Sequence, residues 1–417
     1  MRILFLSNYY PPLEVGGYEQ LCRDVAERLA GRGHTIAVLT STYGLGKEPV
    51  GQDVDYDVHR LLRLQPDFDR RLGATLQFFL TRQPDEQYDL ACFRKVIAEF
   101  DPVVISIWNM QRLPRSLALE AEALPDTGVA YWVASSTPAE PDEFWRYWDL
   151  VPPNPWKARF KGLFSDRALR TMQAEGHPLQ PEMKHVGVVS NFMRERGIDD
   201  GTLPSWTKVI YNGVEIDSFF QPVQPLGEGP MCFLQAGRVS DDKGVHTAIE
   251  AVGLAVQKSG LGNVRLVIAG SGPADYRQRL DELVKRYQIE EQVVFTGWLP
   301  REQMPALMAE SHVLLLPTTH QEPFARVVLE AMASGLAVVA TPTGGTEEIV
   351  QHGKTGLLFP VGDSKKLTDQ IGGLVENDDF RIQLAEAGQH LVAQRYSLEH
   401  MVDEIENLLN LATSDGS

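Results

Sequence analysis

The sequence predicts an α/β protein built from two doubly wound, Rossmann-like domains. Three observations carry this. Short apolar runs of strand composition alternate with helix-spaced segments along nearly the whole chain. The alternation begins at Met1 and begins again after a Gly/Pro-rich stretch, Pro222 to Pro230. The length of 417 residues is enough for about two to three domains. The expected division is a first domain over 1–218, a second over 219–395, and a helix near 396–412 that packs back on the first.

The elements follow in order. Arg2 to Ser7 reads as a buried strand, followed by a loop, Tyr9 to Gly17, that holds two prolines and two glycines. From Glu19 to Arg32, Leu21, Val25 and Leu29 recur at helical spacing, and Gly33 suits the end of that helix. His34 to Thr40 and Val103 to Ile107 are further strands, and Gly187 to Ser190 and Lys208 to Tyr211 are short ones. In the second half, strands are expected at Met231–Gly237, Val264–Gly270, Val293–Thr296, Val313–Pro317 and Ala337–Thr341. Helices are expected at Val245–Ser259, Ala274–Tyr287, Arg301–Glu310 and Phe324–Ser334. A terminal helix runs from Leu398 to Leu411, with Thr413 to Ser417 frayed. The stretch from about Gln65 to Gln180 is the least patterned. Trp145, Trp148 and Trp156, within it, are expected in the core.

Composition narrows the function. A hydrophobic fraction of 43% and a charged fraction of 23% fit a globular enzyme. The net charge of −17 argues against general affinity for nucleic acid or anionic lipid, though a local patch can oppose the global sign. No apolar run approaches the ~20 residues of a membrane-spanning helix, and the N-terminus lacks a signal-peptide pattern. Three scattered cysteines, Cys22, Cys92 and Cys232, form no zinc-type spacing and suit reduced thiols in a cytoplasm. One local exception to the acidic balance follows Trp156: Lys157, Arg159, Lys161, Arg167 and Arg170, interleaved with Phe160 and Leu163. That stretch reads first as a solvated helix face, with peripheral contact at the inner face of the membrane as the alternative. Asp53-Val-Asp55 has the form of a metal-binding Asp-x-Asp, but no His or carboxylate cluster accompanies it, so no metal is expected.

The chemistry-bearing residues lie after strands, where open parallel sheets bind ligands. Glu322 and Glu330 flank a short apolar run. With a helix beginning near Pro323, Glu330 lies about two turns beyond Glu322. The helix N-terminus between them would favour a phosphate or a developing anion. Gly237-Arg238 and Lys243-Gly244 put a guanidinium and an ammonium on one loop, a pairing suited to a diphosphate. Gly16-Gly17, Gly270-Ser271-Gly272 and Gly344-Gly345 allow close approach of backbone to ligand. No Gly-x-Gly-x-x-Gly opens the first domain, which weakens a dinucleotide reading.

Together these segments resemble glycosyltransferase family four, retaining enzymes of GT-B fold also grouped as glycosyl transferases group 1. The resemblance spans Met1 to about Tyr396. Beyond the motifs above, it rests on Val189-Ser190, Tyr211 to Asp217 with Phe219, and Gly353 to Leu357. It implies a sugar donor activated as a UDP-, GDP- or ADP-sugar, with no cofactor and no metal. Arg238 and Lys243 would hold the diphosphate, Glu330 the ribose, and Glu322 the transferred sugar. Backbone N–H groups of Phe324 and Ala325 would meet sugar or phosphate, and Gly17 would approach the diphosphate from the other domain. The implied donor site comprises Gly16, Gly17, Gly237, Gly272, Pro323, Phe324, Ala325, Arg326 and Glu330. The implied catalytic set is Glu322, Arg238, Lys243 and Asn109.

The sequence departs from the family pattern in three places. Ser106 and Trp108 stand where the family often has histidine, leaving Asn109 as the candidate hydrogen-bonding group. Ala325 replaces a frequent glycine, and Ala337 a frequent proline. The expected activity is transfer of a sugar to a hydroxyl of a glycolipid, polysaccharide or small metabolite. Two alternatives stay open: a sugar-nucleotide epimerase or hydrolase of the same architecture, and a catalytically silent nucleotide-sugar-binding protein.

Overall fold

The structure is a computed structural model. It describes residues 1–13, 16–45, 54–66, 78–151, 155–259 and 261–414, with backbone alone at 155, 157, 160, 258 and 259. Asp53, from the Asp-x-Asp pair, and the side chains of Lys157 and Phe160 lie outside the described residues, as does the end of the tail from 415. Two compact units are present. One holds residues 1–189, 193–210 and the chain from Val402 on; the other holds 190–192 and 211–401.

The first unit contains a parallel sheet of β1 (Arg2–Leu6), β2 (Thr35–Ser41), β3 (Asp57–Leu62), β4 (Val104–Ile107), β5 (Gly128–Val133), β6 (His185–Val188) and β7 (Lys208–Val209), in spatial order β3-β2-β1-β4-β5-β6-β7. Ile3 to Leu6 are fully buried because both faces of a doubly wound sheet are covered by helices. The second unit contains β8 (Met231–Ala236), β9 (Val264–Ala269), β10 (Val293–Gly297), β11 (Val313–Leu316), β12 (Ala337–Ala340) and β13 (Leu357–Leu358), again all parallel, in order β10-β9-β8-β11-β12-β13. Its core joins these strands to the helices Val245–Ser259, Ala274–Tyr287 and Ser364–Glu376.

Both sheets reverse their winding beside their first strand, between β1 and β4 and between β8 and β11. A crevice opens at such a switch point beyond the carboxyl ends of the strands. The loops after β8 and β11 carry Arg238, Lys243 and Glu322; those after β1 and β4 carry Gly16 and Asn109.

Four sequence expectations need correction. The helix expected from Phe324 begins at Arg326. The segment expected as one helix over Arg301–Glu310 is a 3₁₀ turn, Arg301–Gln303, followed by the helix Met304–Ala309. The terminal helix runs on from Leu398 to Ser414, through residues expected to fray. Of the three tryptophans expected in the core, Trp148 is buried with Phe78, Phe144 and Met172, and Trp145 packs half-buried against that cluster. Trp156, at 80% exposure, is on the surface.

Candidate active site

The second unit builds its site from four loops, those after β8, β9, β11 and β12, locked together at the main chain. Asp242 O, after β8, accepts from Thr319 N at 2.8 Å and Thr318 Oγ1 at 3.0 Å, both after β11. Glu322 O accepts from Gly345 N, after β12, at 2.8 Å. The approach is close enough to exclude side chains. A Cβ on Gly272 would lie 1.6 Å from Val239 O, and one on Gly344 would lie 2.1 Å from Glu322 O. Glycine is required at these two places for space.

On this floor the charged groups form a chain. The Lys243 ammonium donates to Glu322 Oε1. His320 Nε2 is 3.5 Å from Glu322 Oε2, and its Nδ1 lies 2.9 Å from Thr318 Oγ1 and 3.5 Å from Asp242 Oδ2. Arg238 donates to Asp242 Oδ2 at 3.1 Å. Burial alone would raise the Glu322 carboxyl, but His320 and Lys243 outweigh it and hold it below the usual carboxylate range. The hydrogen bond to Glu322 in turn raises His320 above the ordinary imidazole value, against the effect of burial. Burial likewise pushes Asp242 up, yet Ser240, Arg238, His320 and Lys243 bring it below its ordinary value. The cluster therefore keeps its carboxylates ionised and its imidazole ready to carry charge, with Arg238 reaching into solvent at 67% side-chain exposure. An incoming diphosphate would exchange places with these carboxylates on Arg238 and Lys243.

The start of the Glu322–Glu330 segment shows why its helix begins late. Ser190 Oγ donates to Pro323 O at 2.7 Å and Asn212 Nδ2 to Phe324 O at 3.3 Å, while Ala325 is extended at ψ 98°. Those carbonyls are taken by side chains remote in sequence, so Pro323, Phe324 and Ala325 precede the helix instead of opening it. Glu330 consequently lies about one turn into the helix. It is 9% exposed, with Arg301 Nη1 at 3.5 Å and Arg326 Nη2 at 3.9 Å from its Oε1. The Phe324 ring turns into an aromatic group with Tyr211 and Tyr396, at 5.2 and 5.6 Å. Thus Arg238, Lys243, Glu322, Pro323 and the glycines Gly237, Gly272 and Gly344 lie on one strand-end edge. Glu330 and Arg326 stand on the helix that leaves it.

In the first unit, Gly16 and Gly17 open the helix Gly17–Gly31 after β1. Gly16 N donates to Glu19 Oε2 at 2.9 Å, so a carboxylate already sits at that helix start. Asn109 Oδ1 accepts from Gln111 N at 2.9 Å and shapes its own turn. At the positions where the family often has histidine, Trp108 is buried, donates to Ser106 Oγ at 3.0 Å and packs at tilted and edge-on angles among Phe5, Tyr18 and Trp132. Sequence reading missed His320, whose only local signal is its place two residues before Glu322. It also missed Arg112, after β4, which donates to Tyr9 Oη at 3.2 Å and to Gln65 O at 2.7 Å, and whose N–H meets Glu143 Oε1 at 2.9 Å.

Residues 217–391, which hold all of the second unit's candidates, match the family model of glycosyl transferases group 1. The likeness to that family is carried by this segment. An uncharacterized glycosyltransferase of Methanocaldococcus jannaschii is 24% identical over 99% of this chain and 98% of its own length. The D-inositol 3-phosphate glycosyltransferase of Corynebacterium urealyticum is 34% identical, over 41% of each chain. Among solved structures, sucrose-phosphate synthase from Thermosynechococcus elongatus superposes with a TM-score of 0.72 at 19% identity, over 99% of both chains. HepE from Anabaena, solved in complex with UDP, gives 0.67 at 22% identity over 98% of this chain and 100% of its own. These likenesses show a GT-B-like fold around the group 1 domain.

Proposed function

We propose that the protein is a retaining glycosyltransferase that moves a sugar from a nucleoside diphosphate sugar to an acceptor hydroxyl without a metal. The observation that carries this reading is the Arg238–Asp242–His320–Glu322–Lys243 chain at the β8/β11 switch point. Arg238 and Lys243 offset the diphosphate charge, and Glu330 takes the ribose hydroxyls. Glu322, released from Lys243, turns to the transferred sugar. The acceptor oxygen bonds to the anomeric carbon on the face from which the phosphate oxygen departs, and the acceptor proton passes to that leaving oxygen. Such a step needs positioning and charge stabilisation more than a protein nucleophile. Gly16, Gly17 and Asn109 are the first unit's candidates for the same reaction. HepE binds UDP and UDP-glucose, which puts UDP ahead of GDP and ADP among nucleotides to try.

Thermal stabilisation by UDP, GDP, ADP and their sugar conjugates, with magnesium or with chelator, tests the donor half. A ligand at a hundred times its dissociation constant stabilises by about 2.7 kcal/mol. One nucleotide family should shift the transition equally in both conditions. Transfer from that donor, screened against glycolipid, polysaccharide and small-metabolite acceptors, tests the rest; the anomeric configuration of the product reports retention. Hydrolysed or isomerised donor with no dependence on acceptor would replace this reading with the hydrolase or epimerase one. Tight donor binding without turnover would favour a silent binder.

A further inference from the structure

We propose that the outward face of the helix Pro155–Ala174 docks on an anionic lipid surface. The helix turns Lys161, Ala168 and Met172 inward, and the Lys161 ammonium is spent on Leu150 O and the Tyr147 ring. At 100° per residue, Trp156, Arg159, Leu163, Arg167 and Arg170 fall in one stripe opposite those positions. This face is apolar at its centre: Trp156 is 80% and Leu163 73% exposed. The Arg167 guanidinium lies 6.0 Å from the ring of Phe79, itself 41% exposed, which adds a neighbouring segment to the same surface.

Charge selects the occupant. The chain carries a net −17, yet this stripe sets three arginines against one acid, Asp166. Glu175, at the end of the helix, is engaged by Arg82 and Gln83. Large apolar groups between arginines match a bilayer interface, where the ring and the leucine enter the acyl boundary and the guanidinium groups meet lipid phosphates. A second copy fits worse, since a two-fold contact would set the arginines against their own counterparts. A nucleic acid fits worse as well, because a phosphate backbone offers no apolar partner to the exposed Leu163 between the arginines. Vesicle binding does not depend on which reaction the chain catalyses.

The test is co-sedimentation of the full chain with vesicles of phosphatidylcholine alone and of phosphatidylcholine mixed with phosphatidylglycerol, at low and high salt. Binding is expected with the anionic vesicles and is expected to fall with salt. Neutralising Arg167→Gln and Arg170→Gln together should lower the partition coefficient by roughly 25-fold, about fivefold for each arginine. Trp156→Ser with Leu163→Ser should lower it at least about tenfold. Circular dichroism and thermal unfolding of these surface variants should match the unmodified chain. The proposal is overturned if the folded chain stays in the supernatant with anionic vesicles, or if both double variants bind as the parent does. It is equally overturned if heparin is bound as tightly as the vesicles and without sensitivity to Leu163→Ser, or if the face instead drives self-association without lipid.

Discussion

Replacing Lys243 by alanine separates two roles that this lysine would play. In the structure its ammonium is the partner of Glu322, whose side chain is only 10% exposed. Breaking a buried ion pair by removing one member costs about 3–5 kcal/mol. Here the lysine side chain is 21% exposed and His320 remains beside Glu322 Oε2. The loss should therefore be lower, about 2 kcal/mol by urea denaturation. If Lys243 also holds the diphosphate, losing that charged hydrogen bond should weaken nucleotide binding by about 1.5–3 kcal/mol, roughly 10- to 150-fold. Adding Glu322→Gln removes the stranded carboxylate, so the double variant should recover about 1–2 kcal/mol of stability. It should recover none of the nucleotide affinity. Calorimetric titration with the nucleotide that stabilises the parent reads the second quantity directly. Parent-like affinity in the double variant would refute the phosphate role and leave Lys243 as a counter-charge for Glu322. Unchanged stability in Lys243→Ala would refute the ion pair itself.

Other expectations follow from the same geometry. His320 is raised by Glu322, so its part of the pair is complete below the ordinary imidazole value and is lost as pH rises through the raised one. Glu322 is lowered, so its part is complete above the ordinary carboxylate value and is lost as pH falls through the lowered one. Stability measured across pH should peak between these limits, and His320→Gln should remove the alkaline limb and shrink the acidic one, which then rests on Lys243 alone. Gly272→Ala forces a Cβ to within 1.6 Å of Val239 O and should cost more than about 3 kcal/mol. Gly237→Ala has open space around the new atom but a φ of +136°, so about 1–3 kcal/mol of backbone strain is expected; urea titrations would rank the two. Glu348→Gln should destabilise by about 1.5–3 kcal/mol, because the carboxylate accepts from Asn191 N at 3.0 Å, Phe192 N at 2.9 Å and Tyr211 Oη at 2.9 Å. A change below about 0.5 kcal/mol would show that water replaces the charge.

Much of the fold is legible because its determinants are local. Leu266 to Ala269 and Val313–Leu316 are continuous buried apolar runs, as a covered parallel strand requires. The helices Val245–Ser259 and Ala274–Tyr287 keep regular apolar spacing from end to end. The start of the helix at Arg326 is not legible in the same way. Proline favours a first helical position, and the groups that overrule it, Ser190 and Asn212, are more than a hundred residues distant. His320 was missed for a related reason. A single histidine in a loop carries no periodic signal, and its meaning comes from Asp242, brought to it from another strand. Trp156 read as core because tryptophan usually is, whereas the helix that carries it buries the opposite face.

The four loops of the second unit touch through carbonyls and amides, with Asp242 O, Val239 O and Glu322 O as the points of closest approach. A surface assembled in this way owes its shape to almost none of the side chains that stand on it. Trp298, 69% exposed just beyond β10, and Arg301, three residues later and beside Glu330, lie outside these main-chain contacts. They are open to exchange where Gly272 and Gly344 are not. An effort to retune the ligand preference of this edge would begin with those two positions and leave the glycines as they are.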